Sequence, residues 1–348
     1  MEANRTDVHA VAGRLLSSAN PEIRAVALRL IVNNADAFAA NAERIETTDD
    51  PVQRGMVVLG RFNAGTCDEA EARKALASVF EEASGATLCG LAQAMRGNES
   101  AVARWALTEM GKRQDNGERH DESLCREIAL SMAKTPHPEF LPTLVGMLGD
   151  RRARPAVREA LVAIGPMALE YLEWVAVEEN LTPRQMRHLP RSISPFGGQA
   201  AVDALVRLHR KVELGYFRFK VLRGLGRLVA DDDRLSIDSE FLDENIEASL
   251  RRIIQMIDCR LSATTIRERR PRFNHRAMGF LIDTLRGKEI NAAERLFRFL
   301  AIRYPDEAIY DIFKGLMSSD SRVRAGSREL LENRLDSPHR SAVQALVD

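Results

Sequence analysis

His9, His120, His137, His188, His209, His275 and His339 stand apart from one another, with no H-E-x-x-H run and no pair at i, i+4. A metal needs three or four such ligands within reach, so no metal site is expected. Cys67, Cys89, Cys125 and Cys259 show no C-x-x-C spacing, which argues against a zinc ribbon or a disulfide framework and for a reducing compartment. No G-x-x-x-x-G-K-(S/T) run is present, and Gly224-x-Gly226 lies within a helical apolar pattern, where close helix packing explains it better than a phosphate cradle. Asp150, Asp232, Asp233 and Asp320 sit at turns between apolar segments, where a carboxylate caps free backbone N–H groups; capping is the expected role, not acid catalysis. Trp105, Tyr171 and Trp174 could stack on a base, but each falls on an apolar stripe and burial is expected. No catalytic residue and no cofactor follow from this inventory.

One charged segment exceeds its structural explanation. Residues 231–247 carry eight acids against Arg234, and residues 251–276 carry eight arginines against Asp258 and Glu268. Acid at the start of a helix and base at its end complement the helix dipole, which accounts for part of the asymmetry. It does not account for Arg267, Arg269, Arg270 and Arg272, which read as a loop facing an anion or an acidic partner. Over the whole chain, 50 basic and 50 acidic residues cancel, so no global field draws the protein to nucleic acid, and any electrostatic partner reads a local patch. Forty-three of the basic residues are arginine, which is compositional bias more than function.

The elements that must position these residues are helices. Val157, Ala160, Leu161 and Ile164 recur at i, i+3, i+4, i+7, with Pro155 suited to a first turn and Gly165 to a stop. Before them, Phe140/Leu141, Leu144/Val145 and Leu148 form a second stripe that closes on Gly149-Asp150. Neither helix can hide its stripe alone, so helix pairs must stack on one another. No apolar stretch approaches the roughly 18 residues of a membrane helix. The acidic segment 230–239 is the best candidate joint, dividing the chain into 1–230 and 231–348. Beyond it the spacing predicts a long helix over 241–261, a basic connection over 264–273, helices over 278–285, 292–302 and 307–317, and a last one over 323–335.

The order helix, Asp-containing turn, Val-Arg-x-x-(Leu/Ala), then Gly resembles the HEAT repeat. Variants stand at Asn20-Pro21-Glu22-Ile23-Arg24, Asp50-Pro51-Val52-Gln53-Arg54, Asp320-Ser321-Arg322-Val323-Arg324 and, more loosely, Phe217 to Gly226, with a weaker copy around Trp105. The resemblance implies an all-α, right-handed superhelix of antiparallel helix pairs, of armadillo type, in which Arg24, Arg54, Arg158 and Arg324 tie turns together and serve structure. Residues 275–340, with Glu294-Arg295-Leu296-Phe297, Tyr304-Pro305 and Arg324-Ala325-Gly326-Ser327-Arg328-Glu329-Leu330-Leu331-Glu332-Asn333, are similar to the HEAT region that follows ADP/ATP-carrier-like or major-facilitator-type membrane domains in some bacterial proteins. This chain lacks the membrane domain, and its apolar ending at Leu346-Val347 is expected of a piece of a longer protein. A non-catalytic scaffold for a protein partner is implied, cytoplasmic or on the cytosolic face of a membrane. HEAT proteins that excise DNA bases or attach bilins are the alternatives; the first needs a continuous basic stripe, the second a pocket for a tetrapyrrole.

Overall fold

The computed structural model describes residues 11–18, 20–46, 50–115, 122–178, 181–270, 272, 276–305, 308–335 and 339–347. Among these residues every regular element is helical and no strand occurs. The chain divides into two compact units, Met1–Phe196 and Gly197–Asp348. The acidic segment after Ala230 lies inside the second unit. There Gln199 receives the backbone N–H of Ser236 on Oε1 (3.1 Å) and donates Nε2 to the Ser236 carbonyl (2.9 Å).

The first unit contains α1 (Pro21–Val32), α2 (Ala35–Glu46), α3 (Pro51–Asn63), α4 (Glu69–Glu82), α5 (Gly85–Ala94), α6 (Ala101–Asp115), α7 (Glu122–Lys134), α8 (Leu141–Gly146), α9 (Arg154–Ile164), α10 (Pro166–Glu178) and α11 (Pro183–Ile193). Their starts are chemically marked. Asp50 accepts the Val52 N–H at 2.9 Å, and Asp68 with Glu71, like Thr182 with Gln185, closes a reciprocal capping box. At Gly165 the chain turns with φ 84°, a conformation that side-chain-bearing residues resist, and α10 departs at 119° to α9. Leu144, Leu148, Val157, Ala160 and Leu161 are all fully buried, so the stripes read from spacing are the packed faces. Trp174 departs from expectation: it is 50% exposed, with its ring 5.7 Å from that of Tyr171 on the outer side of α10. Trp105 is half-buried, stacked on Phe80 at 6.1 Å beneath the Arg73 guanidinium.

The second unit contains α12 (Gly198–Lys211), α13 (Gly215–Asp231), α14 (Ser239–Arg269), α15 (Arg276–Arg303), α16 (Ile309–Leu316), α17 (Ser321–Arg334) and α18 (His339–Val347). Phe217, Phe241, Leu296 and Phe299 are buried at its centre. Two expectations fail here. Helix α14 runs eight residues past 261, through most of the segment read as a basic connection, because residues 239–269 contain neither Gly nor Pro to stop it. Pro271 and Phe273 lie outside the described residues. The two helices expected over 278–285 and 292–302 are one, α15; Gly287 alone costs about 1 kcal/mol in a helix interior, too little to break one packed along its length on α14.

A single arginine device recurs at the turns. Arg24, Arg104, Arg218 and Arg324, each the fourth residue of its helix, donate a guanidinium N–H to a carbonyl five or six residues upstream, on Ser18 (2.8 Å), Glu99 (2.6 Å), Val212 (2.9 Å) and Ser318 (2.8 Å). Arg154 reaches the Leu148 and Gly149 carbonyls in the same way (3.0 and 2.9 Å), and Arg340 that of Leu335 (2.7 Å). The orphan carbonyls that end one segment are thus satisfied by the next helix. Arg54 occupies the same helix position but pairs with Glu82 at 3.1 Å. In α9 this clamp is made by Arg154, the first residue of the helix. Asp320 caps α17 through the Arg322 N–H (2.8 Å), whereas Asp232 closes a turn onto Arg234, whose paired guanidinium holds the Asp232 carboxyl below its ordinary range.

Candidate functional site

The four arginines of the basic segment gather at one end of a helical hairpin. Arg267 and Arg269 occupy the last turn of α14, and Arg270 is its C-cap, donating its backbone N–H to the Ile266 carbonyl. Arg269, Arg270 and Arg272 are exposed and Arg267 is half-buried. Arg276 then opens α15. Base at the end of α14 suits that helix's dipole, but the first turn of α15 carries no acid, so base also stands where the dipole favours the opposite sign. Dipole compensation therefore explains only half of the cluster.

The acidic segment does not neutralise it. A 31-residue helix is roughly 45 Å long, and the acids stand at its other end. Their partners are local: Asp238 pairs with Arg210 (3.4 Å), Glu247 with Arg251 (3.3 Å), and Asp243 with Arg303 (3.5 Å). Separations of this order exceed the Debye length of about 8 Å several times over, so the two charge clusters act independently.

Beside the arginines the hairpin exposes apolar surface that its sequence signalled only weakly. Arg260 of α14 grips Glu289 of α15 through two hydrogen bonds (2.6 and 3.2 Å), which sets the antiparallel register and puts Phe280 about level with Arg269. Phe280 is 74% exposed, and Leu261, Ile266 and Leu281 are each close to half exposed. The signal was the run Phe280-Leu281-Ile282, three consecutive apolar residues that no single helix face can bury. Isolated exposed leucines are ordinary, but an exposed phenylalanine among arginines has the composition of an interface centre.

Elsewhere in this unit, His209 and Arg298 are held within the packing. His209 is buried edge-on to Phe241 and Phe299 (5.2 and 5.8 Å), and burial together with Arg218, Arg295 and Arg210 lowers its pKa to about 4. Arg298 joins Glu294 (2.8 Å) and the Tyr310 hydroxyl (2.5 Å) while lying over the Tyr310 ring. The four cysteines form no disulfide, and among the described residues no three His, Cys, Asp or Glu side chains converge as a metal would require. Also among the described residues, no single helix is long and apolar enough to cross a membrane. The arrangement can therefore present charge and apolar surface to a partner. No protein-family model, no curated protein and no solved structure matches this chain.

Proposed function

We propose that this protein is a non-catalytic scaffold, a HEAT-like α-solenoid, that holds an acidic protein partner at the arginine-bearing end of the α14–α15 hairpin. The observation that carries this reading is the coincidence of Arg267, Arg269, Arg270 and Arg272 with exposed Phe280 and Leu281, at a place far from the acidic segment where helix dipoles account for only part of the charge. The repeated arginine clamp supports the solenoid assignment, because a device that recurs at the fourth position of four helices spread along the chain is what degenerate repeats would carry. A cytosolic setting, as the HEAT portion of a larger transporter-related protein, follows from the resemblance of residues 275–340.

The test is a titration of the intact chain with labelled poly-glutamate, in parallel with a single-stranded DNA oligonucleotide, at about 50 and 300 mM salt. Poly-glutamate binding should weaken strongly with salt and fall at least tenfold in Arg269→Glu/Arg270→Glu/Arg272→Glu, because attraction becomes repulsion. Equal binding by the variant would overturn the assignment. Tighter binding of the DNA than of poly-glutamate would replace it with a nucleic-acid reading.

A further inference from the structure

The second unit also holds an open cleft of about 860 Å³, bordered by residues of α14 to α18. Its volume lies within the roughly 300–1,000 Å³ typical of small-molecule sites. Ile253, Leu296, Phe297, Phe313 and Leu316 are buried side chains that form its floor. Ile290 and Met317, about half exposed, stand at its lip.

The polar groups of the lining are not balanced. Arg260, Arg286, Arg324 and Arg328 face Asp283 and Glu289, an excess of two positive charges. Two of the arginines are already committed. Arg260 holds Glu289 through its paired hydrogen bonds, and Arg324 clamps the Ser318 and Ser319 carbonyls, both at 2.8 Å. Arg286 of α15 and Arg328 of α17 have no hydrogen bond or ion pair among the described residues, and both are exposed. A guanidinium is a planar fork suited to a carboxylate, and two of them, from different helices, border one apolar floor. The first unit supplies a contrast. A cleft of similar volume, about 820 Å³, is lined there by Arg61 and Lys74 against Glu46 and Glu71, so its charges cancel, and Arg61 is spent on Glu46 at 2.9 Å. The cleft bordered by Arg286 and Arg328 combines an apolar floor with two cations that have no hydrogen bond or ion pair among the described residues.

We infer that this cleft binds a single-chain amphiphile with an anionic head, a long-chain fatty acid, its alkyl tail on the Leu296–Phe313 floor and its carboxylate between Arg286 and Arg328. The tail supplies affinity by leaving water, and the two guanidiniums supply selection for charge. This site is separate from the arginines at the hairpin end and does not depend on their role.

The experiment is displacement of 11-(dansylamino)undecanoate from the intact chain by dodecanoate, dodecan-1-ol and butanoate. Dodecanoate should compete at one site per chain, with the alcohol and the short acid each at least tenfold weaker. Arg286→Glu/Arg328→Glu should lose at least tenfold in dodecanoate affinity with unchanged helix content. Should that double reversal fail to fold, Arg286→Gln/Arg328→Gln provides the same reading, because its preference for dodecanoate over dodecanol should disappear. The Arg269→Glu/Arg270→Glu/Arg272→Glu protein should bind dodecanoate like the wild type, which keeps this result independent of the hairpin assignment. Dodecanol competing as well as dodecanoate, butanoate competing equally, or a double variant that binds like wild type would each overturn the inference.

Discussion

The short helices of the first unit and the long hairpin of the second are built from the same kind of amphipathic sequence, and both leave some large apolar residues at the surface, Leu30, Met167 and Trp174 in the one and Leu261, Phe280 and Leu281 in the other, but Phe280 of the hairpin is far more exposed than any of the rest. In the first unit, helices of 6 to 15 residues start at caps such as Asp50, Asp68 and Ser84, α9 ends at Gly165, and core stripes such as Leu144, Leu148, Val157 and Leu161 are buried. In the hairpin, helices of 31 and 28 residues continue beyond the body that could cover them, and Leu261, Ile266, Phe280 and Leu281 remain at the surface. Where a long helix runs beyond its other neighbours it can pack only on its hairpin partner, and the face turned away from that partner meets water. The same end of the hairpin carries Arg267, Arg269, Arg270 and Arg272.

The sharpest way to test this contrast is to truncate one apolar side chain in each region. Leu161→Ala, fully buried on α9, should cost about 2–5 kcal/mol in urea unfolding, whereas Phe280→Ala should change stability by less than about 0.5 kcal/mol. Similar losses at both positions would mean that the hairpin is covered and the contrast is false.

A second test uses acid. His209 is neutral in the folded protein, with its pKa lowered from 6.5 to about 4, so both folded and unfolded states leave it uncharged at neutral pH. As pH falls below 6.5 the unfolded state takes up the proton first, and stability is lost between pH 6.5 and 4, by roughly 3 kcal/mol. His209→Phe should flatten that part of the pH profile of the second unit. An unchanged slope would place the acid sensitivity elsewhere.

The clamps should give smaller effects. Arg154→Ala removes two charge-assisted hydrogen bonds to turn carbonyls and should cost about 1.5–3 kcal/mol, and Arg218→Ala, with one such bond, about 1 kcal/mol. Differential scanning calorimetry of both variants would show it, and no change in either would reduce the recurrent arginine to a surface ornament. The smallest effect belongs to the hairpin end. Arg269→Glu/Arg270→Glu/Arg272→Glu should alter the melting temperature by no more than a degree or two, since exposed charges contribute about 0–1 kcal/mol; a large fall would show that these arginines support the fold.

Much of this architecture could be read from residue order alone. The helical class follows from apolar spacing, the buried face of Leu144, Leu148, Val157 and Leu161 from the i, i+3, i+4 rule, and the stop at Gly165 from the one residue type that turns freely with positive φ. These are local properties, decided within one or two helical turns. The fate of Trp174 was not legible, because a residue on an apolar stripe is buried only if another element arrives to cover it. The length of α14 was not legible either: charge suggested a loop at 264–273, but a loop needs a breaker, and a helix continues wherever nothing stops it and a partner lies alongside. Sequence supplied the arginines at 267, 269, 270 and 272; only the tertiary structure separated them from the acids by the length of a helix, placed Phe280 beside them, and brought Arg286 and Arg328 from two helices to one apolar cleft. Contacts between residues far apart in the chain depend on how helices pack, and no local pattern encodes that packing.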